Sequence, residues 1–155
     1  MKNNSRIILM ALLIISTFYS CDKCKNYDCF TPPPSYAFEF VDSLTGENLY
    51  SNHTFDKENF TAKSEFGQVF ESEFDTLKDG SGRIVVILPY IWWQTGSLYD
   101  YDLQLDTSTI VTLSLEMTEK YEKCCTYFSL DSLNLKPYAY ELQRDSGIVK
   151  VFIKK

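Results

Sequence analysis

The sequence predicts an all-β fold, an antiparallel β-sandwich of about seven to nine short strands. Three observations carry that prediction. Apolar residues recur with a period of two from Tyr36 onward. Turn signals rich in Gly, Asp and Ser punctuate the chain at roughly 8–15-residue spacing. No segment keeps a helical 3.6-residue period for more than about two turns.

The elements follow in order. Tyr36, Phe38 and Phe40 alternate with Ala37, Glu39 and Val41, which predicts a first strand. The stretch from Asp42 to Asn48 reads as a turn with Gly46 at its tip, leading to a short strand at Leu49-Tyr50. Residues 51–67 are polar with scattered Phe55, Phe60 and Phe66, and no element is assigned to them. Alternation returns from Gln68 to Phe74, and Asp79-Gly80-Ser81-Gly82 is a hairpin signal. Ile84 to Leu88 is a continuous apolar run, expected to be a central strand buried on both faces.

The next hairpin has the cleanest pattern. Tyr99, Tyr101, Leu103 and Leu105 alternate with Asp100, Asp102, Gln104 and Asp106, and Val111, Leu113, Leu115 and Met117 alternate with Thr112, Ser114, Glu116 and Thr118. Short strands follow at 127–135 and 138–142, broken near Pro137. Asp145-Ser146-Gly147 turns the chain into a last strand from Ile148 to Ile153.

The N-terminus carries an address. Lys2 and Arg6 precede the apolar run Ile7 to Phe18, the length of a secretory signal core and too short to span a bilayer, which takes about 20 residues. Residues 1–20 are read as a signal peptide. Ser20 before Cys21 resembles the cleavage point of a bacterial lipoprotein signal, although Phe18 and Tyr19 depart from that pattern, so ordinary secretion is the alternative. The expected anchor is diacylglycerol on the Cys21 thiol with a further acyl chain, such as palmitate, on its amine. Two or three chains hold a protein on a membrane where one is marginal.

Residues 21–35 read as a Cys-rich and Pro-rich tether, with Pro32-Pro33-Pro34 as a polyproline spacer. Residues 36–155 form the sandwich domain. The formal net charge is −6, and cleavage would remove two basic residues and no acid. Such a balance excludes nucleic acid as a partner and argues against charge-driven binding to anionic lipid.

Five cysteines are an odd count for an exported chain, and assigning Cys21 to lipid leaves Cys24, Cys29, Cys124 and Cys125 as an even set. Two disulfides are expected, Cys29 to one of the late pair and Cys24 to the other. The alternative joins Cys24 to Cys29 and Cys124 to Cys125. A zinc site is the weaker reading, because adjacent cysteines in a strand point to opposite faces.

Two resemblances bear on these elements. The hairpin FEFVDSLTGENLYSN resembles the opening of transthyretin-like carboxypeptidase-regulatory domains, which implies an Ig-like or transthyretin-like sandwich. The lipobox-like start, Cys29-Phe30-Thr31-Pro32-Pro33-Pro34, the Thr45-Gly46-Glu47-Asn48-Leu49 hairpin and the late Cys pair together resemble small outer-membrane lipoproteins of Bacteroidetes-type bacteria. That likeness implies lipid-anchored attachment to the outer membrane and no particular activity. Surface-export signals of that group place several acids after the lipidated Cys, and only Asp22 fits. Surface display and the periplasmic leaflet therefore both stay open. Asp42-Ser43-Leu44, Asp75-Thr76-Leu77 and Asp131-Ser132-Leu133 match the group's O-glycosylation pattern, which makes Ser43, Thr76 and Ser132 candidate acceptors.

No catalytic, metal or cofactor motif stands out. His53 is the one histidine, without a nucleophile elbow or a second ligand nearby in sequence. Asp100, Asp102 and Asp106 lack the Gly and distant Glu of a calcium loop. The candidate ligand contact is Tyr90-Ile91-Trp92-Trp93. If extended, it places Tyr90 and Trp92 on one side and Trp93 on the other, so both tryptophans cannot share one core face. The bland alternative is a covered strand that buries one Trp on each side.

The function expected from these readings is a lipid-anchored cell-envelope module that binds a protein or glycan partner, or serves structurally. The alternatives are a glycan-acting enzyme using carboxylates such as Glu71, Glu73 or the strand aspartates, and an accessory subunit of a transport or adhesion system.

Overall fold

The computed structural model describes residues 31–122 and 125–154. The proposed signal peptide, Cys21, Cys24, Cys29 and Cys124 lie outside the described residues. Two five-stranded sheets pack face to face, as the period-two pattern predicts. The described residues hold β1 (Ala37–Asp42), β2 (Thr61–Ser64), β3 (Val69–Phe70), β4 (Glu73–Thr76) and β5 (Ile84–Ile87). They continue with β6 (Leu98–Gln104), β7 (Ile110–Glu122), β8 (Cys125–Lys136), β9 (Ala139–Gln143) and β10 (Ile148–Ile153). One sheet runs β4-β5-β1-β10-β9 and the other β3-β2-β6-β7-β8.

All neighbours pair antiparallel except β1 and β10, which run parallel with Phe38 opposite Val149 and Phe40 opposite Val151. The chain changes sheets through very short links at both sides of the sandwich. Glu71-Ser72 joins β3 to β4, and Pro137-Tyr138 joins β8 to β9. Tyr140 Oη donates to the Leu133 carbonyl at 2.5 Å across the second link.

The core is aromatic and aliphatic. Phe38 and Phe40 of β1, Val86 of β5, and Val149 and Val151 of β10 meet Tyr101, Leu103, Leu113 and Leu115 of β6 and β7, all buried. Residues 49–60 close one end as a coil around a 3-10 turn at Lys57–Asn59, whose Asp56 cap accepts from the Glu58 amide. Leu49 and Tyr50 are buried but form no strand; only an isolated bridge joins Val41 to Asn48. The turn before them is built by Asp42, whose Oδ1 accepts from the amides of Leu44 and Thr45 and so holds the chain in a loop.

Three other expectations change. The 68–74 alternation breaks into β3 and β4 on different sheets. β5 lies between β4 and β1 but leaves Ile84 and Ile87 half-buried, so it is covered on one face only in part. The tether does not reach as far as residue 35 in free form: Pro33 is buried, and the Thr31 amide donates to the Thr126 carbonyl at 3.0 Å.

Burial also sets an alkaline limit on stability. Tyr101 is fully buried and its hydroxyl has no hydrogen-bond partner. Burial first, then the nearby Tyr99 and Glu65, pushes its phenol up to about 12. An unfolded tyrosine ionises near pH 10. The native chain therefore keeps a proton that the unfolded chain loses, and stability falls as pH rises from about 10 toward 12. Urea midpoints at pH 8, 10 and 11 should decline, and Tyr101→Phe should lessen the decline without loss at pH 8, the remainder coming from Tyr50, whose phenol burial also pushes up.

Candidate functional site

The Tyr90–Trp93 segment is not extended. Ile91–Trp93 forms a 3-10 turn, in which residues three apart fall on the same side. Tyr90 and Trp93 therefore project outward, 58% and 46% exposed, while Ile91 and Trp92 are fully buried. Trp92 packs against Phe38 with ring centroids 6.2 Å apart and an interplanar angle of 11°, and against Tyr36 at 5.1 Å. Trp92, placed among the candidate contacts by the sequence, is a core residue with no side-chain surface open to solvent. The expected separation of the two tryptophans holds, but through a helical turn instead of the two faces of a strand.

Trp93 meets the long β7–β8 hairpin. β6 pairs with β7 only as far as Leu98 opposite Glu116, whereas β7 pairs with β8 on to Glu122 opposite Cys125. Beyond Met117 the two strands overhang the sheet as a ribbon. Its start is marked by a register shift between Glu116 and Met117 and by the Gly96 amide, which donates to the Met117 carbonyl at 3.2 Å.

Alternation continues through the overhang, so Glu119 and Tyr121 follow Met117 on the core-side face, with Phe128 opposite Glu119. Trp93 and Phe128 pack edge to face, centroids 5.8 Å apart at 63°. Tyr121, 74% exposed, donates its hydroxyl to the Glu119 carboxylate, which pushes the phenol up. The result is an aromatic ridge of Trp93 and Phe128 with Tyr121 and Glu119 farther along the same ribbon face. Phe128 and Tyr121 were missed in the sequence. The signal was there, since the β7 alternation runs past Met117, where its pairing with β6 ends.

The remaining candidates are dispersed. Asp106 builds the β6–β7 turn: burial pushes its carboxyl up, and hydrogen bonds from the amides and hydroxyls of Ser108 and Thr109 outweigh that and hold it low. Asp102 accepts from the Thr112 hydroxyl at 3.0 Å on the outer sheet face, and Asp100 is half-buried opposite Ser114. Glu71 and Glu73 are exposed on the link and on β4.

His53 is exposed, with φ of 61°, in a cleft of about 410 Å³ lined also by Tyr50, Phe55, Asp56, Lys57, Glu58 and Ile84. Two of the cleft's polar groups already serve the fold. Asp56 caps the 3-10 turn, and Lys57 Nζ lies 5.5 Å from the Phe74 ring centroid. Among the described residues no cluster of three or more His, Cys, Asp or Glu could hold a metal ion.

Ser43, Thr76 and Ser132 are all exposed, on the turn after β1, at the end of β4 and on β8. Cys125 opens β8 and is disulfide-bonded, to a partner outside the described residues. No helix among the described residues is long and apolar enough to cross a membrane. No family model matches the chain, and no curated protein or solved structure matches it either.

Proposed function

We propose that the chain is a lipid-anchored lipoprotein of the outer membrane whose sandwich serves as a binding module, with a protein partner held on the Trp93–Phe128 ridge. The observation that carries this reading is a Trp 46% exposed on a 3-10 turn and packed edge to face on a second ring of an overhanging ribbon. Tyr and Trp combine apolar area with a polar edge and little conformational freedom to lose, which makes them frequent anchors at interfaces. The 63° angle favours protein over glycan. An edge-to-face pair occupies ring face that a flat sugar would need, and presents a ridge suited to a pocket.

The test is crosslinking in intact membranes followed by purification, comparing the unaltered chain with Trp93→Ala and Phe128→Ala. A protein crosslink lost in both variants supports the reading. Crosslinks unchanged in both, or retention of the variants' counterpart on glycan resin alone, overturn it. A glycan-acting enzyme gains no support from Asp102 and Asp106, which are engaged by Thr112 and by the 106–109 turn.

Attachment rests on the sequence around Cys21. Cys21→Ser should move the protein from the detergent phase to the aqueous phase in a detergent-partition assay, because the acyl chains supply about 0.8 kcal/mol per buried methylene. Partition unchanged by the substitution rules lipidation out. Glycans on Ser43, Thr76 and Ser132 belong to the same reading, supported by the exposure of all three residues. Intact-mass measurement of native protein should then exceed the lipidated chain by whole sugar units, and a mass without excess dismisses them.

A further inference from the structure

The overhanging part of β7 leaves one edge open. Where β7 meets β6, the Thr109 carbonyl accepts from the Leu105 amide, and at the far end the Met117 carbonyl accepts from the Gly96 amide. Odd-numbered residues of β7 therefore turn their N–H and C=O groups toward β6, and even-numbered ones toward β8. The register shift beside Met117 puts the extra residue, Asp131, on β8, so the alternation of β7 is unbroken. β6 ends at Leu98, opposite Glu116. Past Met117 the backbone groups of Glu119 and Tyr121 face this edge, and among the described residues no backbone group bonds to them there. Glu119, Lys120, Tyr121 and Glu122 are all exposed.

Charged side chains on an edge usually keep other strands away. Here their order admits one arrangement. Because the edge-facing residues share one parity, the two-fold axis of an antiparallel pair of such edges passes through a residue. An axis at Glu119 sets that side chain against its own copy, and axes at Lys120 or Glu122 do the same for those residues. Like charges directly opposite are destabilising. Farther back, the edge is taken by Gly96. An axis at Tyr121 instead sets Lys120 against Glu122 of the second copy, Glu122 against Lys120 of the second copy, and ring beside ring. Lys120 reaches Asp131 only at 3.9 Å and is 45% exposed, so it can also lean across the edge.

We propose that a second copy of this chain pairs with the first along this edge, β7 antiparallel to β7, about a two-fold axis at Tyr121. The Tyr121 amide of each copy donates to the Tyr121 carbonyl of the other, and the Lys120–Glu122 pairs fix the register on the outer face. The pairing does not depend on what the Trp93–Phe128 ridge holds. Residues directly opposite in an antiparallel pair point to the same face, so both ridges look the same way and offer a bivalent surface. So short an edge buries far less than the roughly 1,200 Å² of a stable interface. The dimer is therefore weak and concentration-dependent.

Sedimentation equilibrium of the full chain in density-matched detergent, at rising concentration, tests the pairing. The unaltered chain should pass from monomer to dimer. Lys120→Glu and Glu122→Lys each set like charges opposite at both symmetry-related positions, and each should weaken self-association about tenfold or more. An equimolar mixture of the two variants restores opposite charges at both positions. It should recover the dimer, which also shows that both chains are folded. A monomeric unaltered chain, single variants that dimerise unchanged, or a mixture without recovery overturns the proposal. Trp93→Ala should leave the dimer intact, and a dimer lost in that variant moves the contact to the ridge and equally overturns it.

Discussion

Replacing Arg83 with Met is expected to cost about 3–5 kcal/mol of folding stability, the usual consequence of leaving a buried charge without its partner. Glu39 lies on the face of β1 that points away from the core, yet its side chain is 0% exposed. Arg83 Nη1 covers it, 3.2 and 3.0 Å from the two carboxylate oxygens. The same guanidinium reaches Asp79 through Nη2 at 2.6 Å, and Asp79 also accepts from the Ser81 hydroxyl and amide. Hydrogen bonds from Ser81 first, then Arg83, hold the Asp79 carboxyl well below the usual carboxylate range. The hydrogen bond to Asp79 in turn raises Arg83.

The two acids differ in weight because they differ in exposure. Asp79 faces solvent, where an ion pair contributes little. Its stabilising effect is present above the unfolded carboxylate pKa and is lost as pH falls below it. Glu39 has no water to fall back on. Urea or guanidinium unfolding should therefore show a large drop in midpoint for Arg83→Met at unchanged slope, and a thermal midpoint lowered by roughly 10 °C or more. The double variant Arg83→Met with Glu39→Leu should recover most of the loss, since an apolar pair of similar volume often replaces a buried ion pair without cost. If Arg83→Met alone loses less than about 1 kcal/mol, the pair is a surface contact and the account of Glu39 is wrong.

Glu39 also marks what the sequence could and could not reveal. The alternation in β1 put it on the face away from Phe38 and Phe40, which is where it lies, but alternation alone does not say what covers that face. Its burial comes from the loop between β4 and β5, where Arg83 folds back over β1. The β6–β7 hairpin and β10 were legible because one face of each is apolar, in β7 as far as Met117. The parallel pairing of β1 with β10 was not, since partners at opposite ends of a chain leave no local pattern.

Continuous alternation from Gln68 to Phe74 concealed a change of sheet. A two-residue link preserves the period while moving the strand from one sheet to the other, so the pattern reports that a side chain faces the core and not from which sheet. Leu49 and Tyr50 were read as strand because they are apolar beside a turn, and they are buried, but their carbonyls accept from the Phe55 and His53 amides of the coil, and only the Leu49 amide reaches β1, at the Phe40 carbonyl. The aromatic site was half legible. Two adjacent tryptophans required different surroundings under any regular backbone, but the 3-10 period paired Trp93 with Tyr90 and left Trp92 inside.

That division gives a second large effect, in which neighbouring substitutions of the same kind separate folding from binding. Trp92→Ala should cost about 3–5 kcal/mol, the range for deleting a large buried aromatic side chain whose cavity closes only partly. Its indole faces Phe38 and Tyr36, so the loss also removes aromatic contacts across the packed end of β1. Trp92→Phe should recover much of this, because Nε1 is buried without a hydrogen-bond partner and its removal leaves no acceptor unpaired. Trp93→Ala removes a ring that is 46% exposed, so its stability loss should be smaller than that of Trp92→Ala. For binding the order reverses. Truncation of an interface anchor commonly costs 2 kcal/mol or more, about thirtyfold in affinity, so Trp93→Ala should lose the partner while remaining folded. Trp92→Phe should keep it. Denaturation midpoints together with crosslinking yields for the three variants check both halves. A Trp93→Ala chain that still captures the partner in full removes the ridge from the interface. A Trp92→Ala chain as stable as the parent would remove Trp92 from the core.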